Sequence, residues 1–169
     1  MPEKKVSPIP AGYHTITPHL VLNDTNAAIA FYKKAFGAEE LSRMPGPDGG
    51  VVHAELSLGD SRLMLADEMP PMPGQPGIYK APKNAGLTTA VMFLYVRDVD
   101  SAFKRAVDAG CTVRTPPTDM FWGDRHSQVI DPFGHTWGIA THVEDVGPDE
   151  MQKRHAAFMA EMAKQGATT

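Results

Sequence analysis

Cysteine is almost absent: one residue of 169, Cys111, carries a thiol. That excludes an intrachain disulfide and a zinc site built from thiolates alone. There is no CxxC pair, no glycine-rich phosphate loop and no Ser-His-Asp order, so redox, nucleotide and hydrolase chemistry find no support. Positive charge is also short. With 16 Lys and Arg against 20 Asp and Glu, the net charge is −4. No basic stripe interleaved with aromatics occurs, and a nucleic-acid partner is not expected. Long apolar runs are missing as well: none approaches the roughly 20 residues needed to span a bilayer. Met1 to Pro10 is charged and proline-rich, without the apolar core of a signal peptide. The expectation is a cytoplasmic protein with no membrane partner.

What is present is ordinary globular material, 42% hydrophobic and 21% charged. Its length suits one domain or two small repeated modules. The stretch Thr118 to His142 reads as two strands around the turn Asp131-Pro132-Phe133-Gly134. Proline presets φ for the second turn position and glycine accepts positive φ. Phe121-Trp122 and Asp124-Arg125-His126 sit where the first of these strands begins.

Residues 1–12 read as a flexible lead. Thr15 to Asn23 follows as a strand, with Ile16, Leu20 and Leu22 on one face and Thr15, Thr17 and His19 on the other. Asp24 or Thr25 caps a helix over Asn26 to Phe36, whose stripe is Ile29, Tyr32 and Phe36 and whose stop is Gly37. Glu40 to Met44 is a short strand. Val51 to Leu58 alternates Val52, Ala54, Leu56 and Leu58 against His53, Glu55 and Ser57, and Arg62 to Ala66 closes the first half as β-α-β-β-β. Asp67 to Leu87 holds five prolines among its residues, so regular structure is not expected; linker and lid both fit.

The pattern then recurs. Thr88 to Val96 is apolar on both faces, as a buried strand would be. Asp98 or Asp100 caps a helix with the stripe Ala102, Phe103, Ala106 and Val107 and its end at Gly110. Thr112 to Thr115 is a strand, and Pro116-Pro117 breaks it. A shift of roughly 74 places sets Asp24 on Asp98 and Ile29 on Phe103, which points to paired modules. From Gly147-Pro148-Asp149 a final helix runs to about Lys164, with Met151, Phe158, Met159 and Met162 on a face that needs covering, by core or by a second copy.

Phe31-Tyr32, Phe36-Gly37 and the Asp131–Gly134 turn, set in two such modules, resemble the vicinal oxygen chelate (VOC) superfamily, which contains glyoxalase I, bleomycin-resistance proteins and extradiol dioxygenases. Four stretches resemble its PhnB-like branch: Ile16-Thr17-Pro18, Val52 to Leu56, Leu63 to Glu68 and Met120 to Arg125. The resemblance implies an α+β fold: two βαβββ modules forming curved mixed sheets around a cup, plus a C-terminal helix. The expected division is lead 1–12, first module 13–66, linker or lid 67–87, second module 88–143 and helix 147–165. It also implies a homodimer.

Superfamily enzymes of the glyoxalase type hold a metal through four strand residues. The resemblance carries those positions to Thr17 and to Met64, Phe93 and Gly138 or their neighbours, a poor set for a divalent cation. No cofactor is therefore expected. The alternative is a displaced divalent site (Zn, Ni, Mn or Fe) drawing on His19, His53 and Glu55, joined by His126 or His142. His53 and Glu55, two apart on a strand, point the same way and are the candidate catalytic pair; a structural His–Glu pair is the other reading. Phe121-Trp122 offers a stacking surface or simply core packing. Asp124-Arg125 binds a ligand anion or forms a surface ion pair. Thr17, His19, Met64, Phe93, Phe121, Trp122, Asp124, Arg125 and His126 complete the candidate ligand-binding set. Two functions follow: a metal-independent binder of a small, partly aromatic molecule, or an enzyme (lyase, isomerase or dioxygenase) working through a displaced metal or through His53 and Glu55.

Overall fold

The structure is a computed structural model that describes residues 7–46, 48–70 and 79–166. The chain divides into two units, one comprising Met1–Thr89 with Pro132–His135, the other Ala90–Asp131 with Thr136–Thr169.

In the first unit the order is β1 (His19–Leu22), α1 (Thr25–Phe36), β2 (Glu39–Pro45), β3 (Val51–Leu58), β4 (Ser61–Asp67) and a one-turn helix, α2 (Pro82–Ala85). The sheet runs β1-β4-β3-β2, with β1 parallel to β4 and the other pairs antiparallel. Asp24 caps α1 by accepting from the Ala27 N–H at 2.9 Å, and Gly37 ends it at φ 73°. Ile29, Tyr32 and Phe36 are buried together with Leu20, Leu22, Ala54, Leu56, Leu63 and Leu65. Each fully buried leucine among them contributes about 2 kcal/mol of apolar transfer. The Asp67 carboxylate joins two element starts. It accepts from the Thr25 N–H at 2.7 Å and from the Val51 N–H at 2.6 Å.

Several expectations are corrected here. β1 is shorter than Thr15 to Asn23, and Ile16 lies outside it, 83% exposed. Ladder pairing to β4 extends back only as far as the Pro18 carbonyl, which accepts from the Met64 N–H. In β3 it is Val51, not Val52, that is buried: the register slips between Met44 and Pro45, and the extra residue turns Val52 outward. Residues 67–87 are not wholly irregular, since α2 occurs there, with proline at its start and Gly86 at its end. The choice between lid and linker falls largely on residues 71–78, outside the described residues.

The second unit repeats the plan as β5 (Val91–Tyr95), α3 (Val99–Ala109), β6 (Thr112–Asp119), β7 (Asp124–Ile130), β8 (Thr136–His142) and α4 (Pro148–Gly166), in the sheet order β5-β8-β7-β6. Again the first strand is parallel to the last and the rest are antiparallel. Asp98 caps α3 through the Ser101 N–H. Trp137, Ile139 and Val129 are buried with Val99, Ala102 and Ala106, and the Trp137 indole N–H donates to the Asp131 carboxylate at 2.9 Å. Each unit thus carries a four-stranded mixed sheet, the α+β architecture expected.

Two strand readings change in this unit. β6 continues through Pro116-Pro117 to Asp119. It is an edge strand, where a missing N–H faces away from the ladder, and its register shifts between Thr115 and Thr118 absorb the prolines. β5 is not buried on both faces. It is also an edge strand, and Val91, Phe93 and Tyr95 stand 48%, 49% and 61% exposed. The helix α4 leaves Phe158, Met159 and Met162 exposed. No helix among the described residues is long and apolar enough to cross a membrane.

Candidate ligand-binding site

Period-two alternation puts one face of each sheet against helices and leaves the other free for chemistry. In the first unit that free face brings together His19, Met64 and Glu55, which lie in one row across β1, β4 and β3. His53 precedes Glu55 by two residues, its Nε2 lies 3.3 Å from Glu55 Oε1, and its ring meets the His19 ring edge-on at 5.8 Å. Tyr13 and Arg62 complete the group. The Tyr13 hydroxyl bonds Glu55, which holds that carboxyl below its usual range, His53 adding to the effect, and raises the phenol. The Arg62 guanidinium lies over the Tyr13 ring at 6.0 Å. Partial burial, with His53 beside it, lowers His19. Thr17 is half-buried just before β1, outside the ladder.

The free face of the second unit is aromatic. Phe93 pairs with Gly138 across β5 and β8, and Gly138 with Gln128 across β8 and β7; the next row is Tyr95, Ala140 and His126, and beyond it lie His142 and Asp124. Small residues in the central strand let the flanking rings approach. The Phe93 ring stacks on the His126 imidazole at 5.3 Å and 2° between planes, and the Trp122 ring is 6.1 Å from His126. A Cβ on Gly138 would meet Phe93 Cδ2 at 2.9 Å and His126 Nε2 at 3.0 Å. Glycine is what permits this stack.

Asp124 is the electrostatic centre of the face. It is 3% exposed, and its Oδ2 accepts from the Tyr95 hydroxyl at 2.9 Å and the Trp122 indole N–H at 3.0 Å. Its Oδ1 faces His142 Nδ1 at 2.8 Å, while Nε2 of that ring faces Asp145 at 3.0 Å. Burial works against the charge on Asp124, yet the bonds from His142, Tyr95 and Trp122 outweigh it and hold the carboxyl below its usual range. The two carboxylates, Asp124 first, raise His142. Desolvation lowers His126 despite the Asp124 charge nearby. A shallow groove of about 560 Å³ alongside is lined by Tyr95, Val96, Arg97, Thr141 and His142.

The profile of the Glyoxalase/Bleomycin resistance protein/Dioxygenase superfamily matches residues 13–139. The chain belongs to that superfamily. An uncharacterized protein of Mycobacterium bovis is 47% identical over 137 residues, spanning 81% of this chain and 89% of that one. Among solved structures, TioX from Micromonospora sp. ML1 is similar at 28% identity and a TM-score of 0.61, covering 77% of this chain and 99% of its own. A glyoxalase/bleomycin resistance protein/dioxygenase from Nocardioides is similar at 26% identity and a TM-score of 0.59, covering 86% and 91%.

Within this superfamily member the metal positions can be tested by donor chemistry. Phe93 and Gly138 are register partners and offer a benzyl ring and a bare backbone; in the first unit the register partner of Met64, a thioether, is the His19 imidazole and not Thr17, which lies outside the ladder. One imidazole beside a thioether, a benzyl ring and a bare backbone does not fit a divalent cation, which takes several imidazole, carboxylate or thiolate donors. Among the described residues no group of three or more His, Cys, Asp and Glu side chains is arranged to hold a metal ion.

The candidate residues therefore fall into three places. Thr17, His19, His53, Glu55 and Met64 lie on or beside the first face, and Phe93, Trp122, Asp124 and His126 on the second. Phe121 and Arg125 are elsewhere. Phe121 packs against His155 and Phe158 of α4 at 5.5 and 5.2 Å, and Arg125 is held by Asp100 and Asp119 at 2.8 and 3.0 Å. Sequence reasoning left out Tyr13 and Tyr95, and named His142 only as a candidate ligand of a displaced metal. Strand period was the signal for the last two: Tyr95 lies two residues beyond Phe93, and His142 four beyond Gly138.

Proposed function

We propose that this superfamily member binds a small, partly aromatic molecule on the free face of its second sheet, without the metal of its glyoxalase-type relatives. One observation carries the reading: Phe93 and Tyr95 are left about half open to solvent on an edge strand, beside a buried imidazole and an indole that bonds Asp124. Large rings held this way supply a stacking surface, each aromatic contact adding about 0.5–1.5 kcal/mol beyond its buried area. The unsuitable donors at three of the four metal positions, with His19 alone at the fourth, support a mechanism through recognition alone. The four sequence stretches that resemble the PhnB-like branch support a place in that branch, and the exposed Phe158, Met159 and Met162 of α4 support a homodimer that covers them. The proposed setting is the cytoplasm; no helix among the described residues is long and apolar enough to cross a membrane.

A panel of planar aromatics titrated against Trp122 fluorescence tests the reading, with Phe93→Ala and Tyr95→Ala each expected to weaken binding about tenfold. Affinity indifferent to both substitutions refutes it. Elemental analysis of protein purified without chelator tests the second clause: stoichiometric zinc, nickel, manganese or iron overturns it. A second reading draws on the first face, where the half-buried His53–Glu55 pair has the spacing for acid–base work. His53→Ala separates the two, since lost turnover with intact affinity means catalysis at the first face, whereas recognition on the second sheet alone leaves affinity unchanged with no turnover to lose.

A further inference from the structure

We infer that His126 is the polar anchor of the second-unit face, and that the ligand it selects is a neutral planar aromatic bearing a hydroxyl group. The inference rests on the reading of that face as a binding surface and names what it recognises. His126 is 8% exposed, and its Nε2 is buried with no hydrogen-bond partner among the described residues. Leaving such an atom unmet costs about 1–3 kcal/mol, so a group placed to meet it gains selectivity rather than bulk affinity. The rings around the atom fix the shape of what arrives. Phe93 lies parallel to the imidazole, Trp122 flanks it, and Tyr95 stands in the same row across Ala140.

The hydroxyl follows from the chemistry of a neutral imidazole. Depending on the tautomer, Nε2 either donates or accepts, and a hydroxyl does both. A carbonyl satisfies one tautomer only. An anionic ligand is disfavoured by the surrounding charges. The Asp124 carboxylate is on this face, Arg125 is committed to Asp100 and Asp119, and His142 is already flanked by Asp124 and Asp145. Burial disfavours a charge on the His126 ring, so the imidazole itself does not attract a carboxylate.

The test compares 2-naphthol with 2-methylnaphthalene, which replaces the hydroxyl by a methyl group of similar size, on the full chain by NMR titration with the histidine side chains labelled with ¹⁵N. The expected result is binding of 2-naphthol about tenfold tighter than of the methyl compound, with a shift of the His126 Nε2 resonance for 2-naphthol alone. His126→Phe abolishes the preference and His126→Gln, which keeps a polar atom at that reach, retains it. The wild-type resonance gives an answer even if a variant fails to fold. Equal affinity for the two probes, or a His126 resonance unmoved by 2-naphthol, overturns the anchor while leaving aromatic binding standing. Binding of neither probe overturns both.

Discussion

Replacing Gly138 by alanine separates a binding face from a packed core more sharply than any other single change. The new Cβ would lie 2.9 Å from Phe93 Cδ2, 3.2 Å from Phe93 Cε2 and 3.0 Å from His126 Nε2, all inside the 3.4 Å at which ordinary contact begins. The His126 imidazole must give by a few tenths of an ångström, which the outward swing of the Phe93 ring stacked on it allows. Phe93 sits on an edge strand, 49% exposed, and can swing away by the half ångström or so required. Losing the ring stack costs about 0.5–1.5 kcal/mol. Stiffening the unfolded chain at a strand position returns about 0.4–1 kcal/mol. Gly138→Ala is therefore expected to change stability by less than about 1 kcal/mol, seen as a small shift of the denaturant midpoint at unchanged slope. Affinity for 2-naphthol falls about tenfold or more, because the methyl group occupies the floor against which the ring would stack. A loss above about 3 kcal/mol would mean that this face is sealed core, and the reasoning would fail. Unchanged affinity would show that ligands bind elsewhere.

Asp67→Ala removes a carboxylate that accepts the Thr25 and Val51 N–H groups, and should cost about 2–4 kcal/mol in urea unfolding; Asp67→Asn, which keeps one acceptor, should cost roughly half. A loss below 1 kcal/mol for alanine would show that water replaces both bonds. Gly123→Ala combines φ +96° with a Cβ 2.1 Å from the Glu144 carbonyl oxygen, so it should lower stability by about 2 kcal/mol or more and open residues 143–147 to protease; an unaltered melting temperature would contradict this. His142 should titrate above 6.5 by NMR, with Asp124→Asn lowering its midpoint more than Asp145→Asn. Because its folded value is raised, the stability it contributes is present below pH 6.5 and lost as pH rises through that midpoint; a midpoint at or below 6.5 in the unaltered chain would sink the argument.

Local rules made much of the fold legible. Asp24 and Gly37 bracket α1, Asp98 and Gly110 bracket α3, and both needed only cap chemistry and stripe spacing. Val51–Leu58 was readable in extent and, from His53 onward, in face; only the exchange of Val51 for Val52 at its start was not, because a slip against β2 is a property of two strands together. β5 misled for a related reason. An apolar run on both faces reads as burial, whereas its position at a sheet edge, which only pairing reveals, leaves Phe93 and Tyr95 open. The prolines of β6 are the converse case: an edge tolerates what a central strand would not. At the site, His53 and Glu55 were found by period two. Tyr95 was not, and His142 entered only as a candidate metal ligand, because neither strand had been given a face before the register was known. Arg125 shows the limit of motif reading, since its neighbours Asp124 and His126 point one way and the alternation of the strand sends it the other, to Asp100 and Asp119.

The turn Pro132–His135 belongs to the first unit, although the chain on either side of it belongs to the second. Its Phe133 ring meets Phe31 at 5.9 Å and Tyr32 at 6.1 Å, its backbone carbonyl accepts from the Lys83 N–H, and His135 reaches the Val21 carbonyl. A polypeptide leaving the ribosome amino end first thus exposes β1 to β4 long before the residue that closes their aromatic cluster has been translated. The amino-terminal half waits on a codon in the carboxy-terminal half, and a gene cut after Thr89 would yield a fragment with that cluster left unfinished.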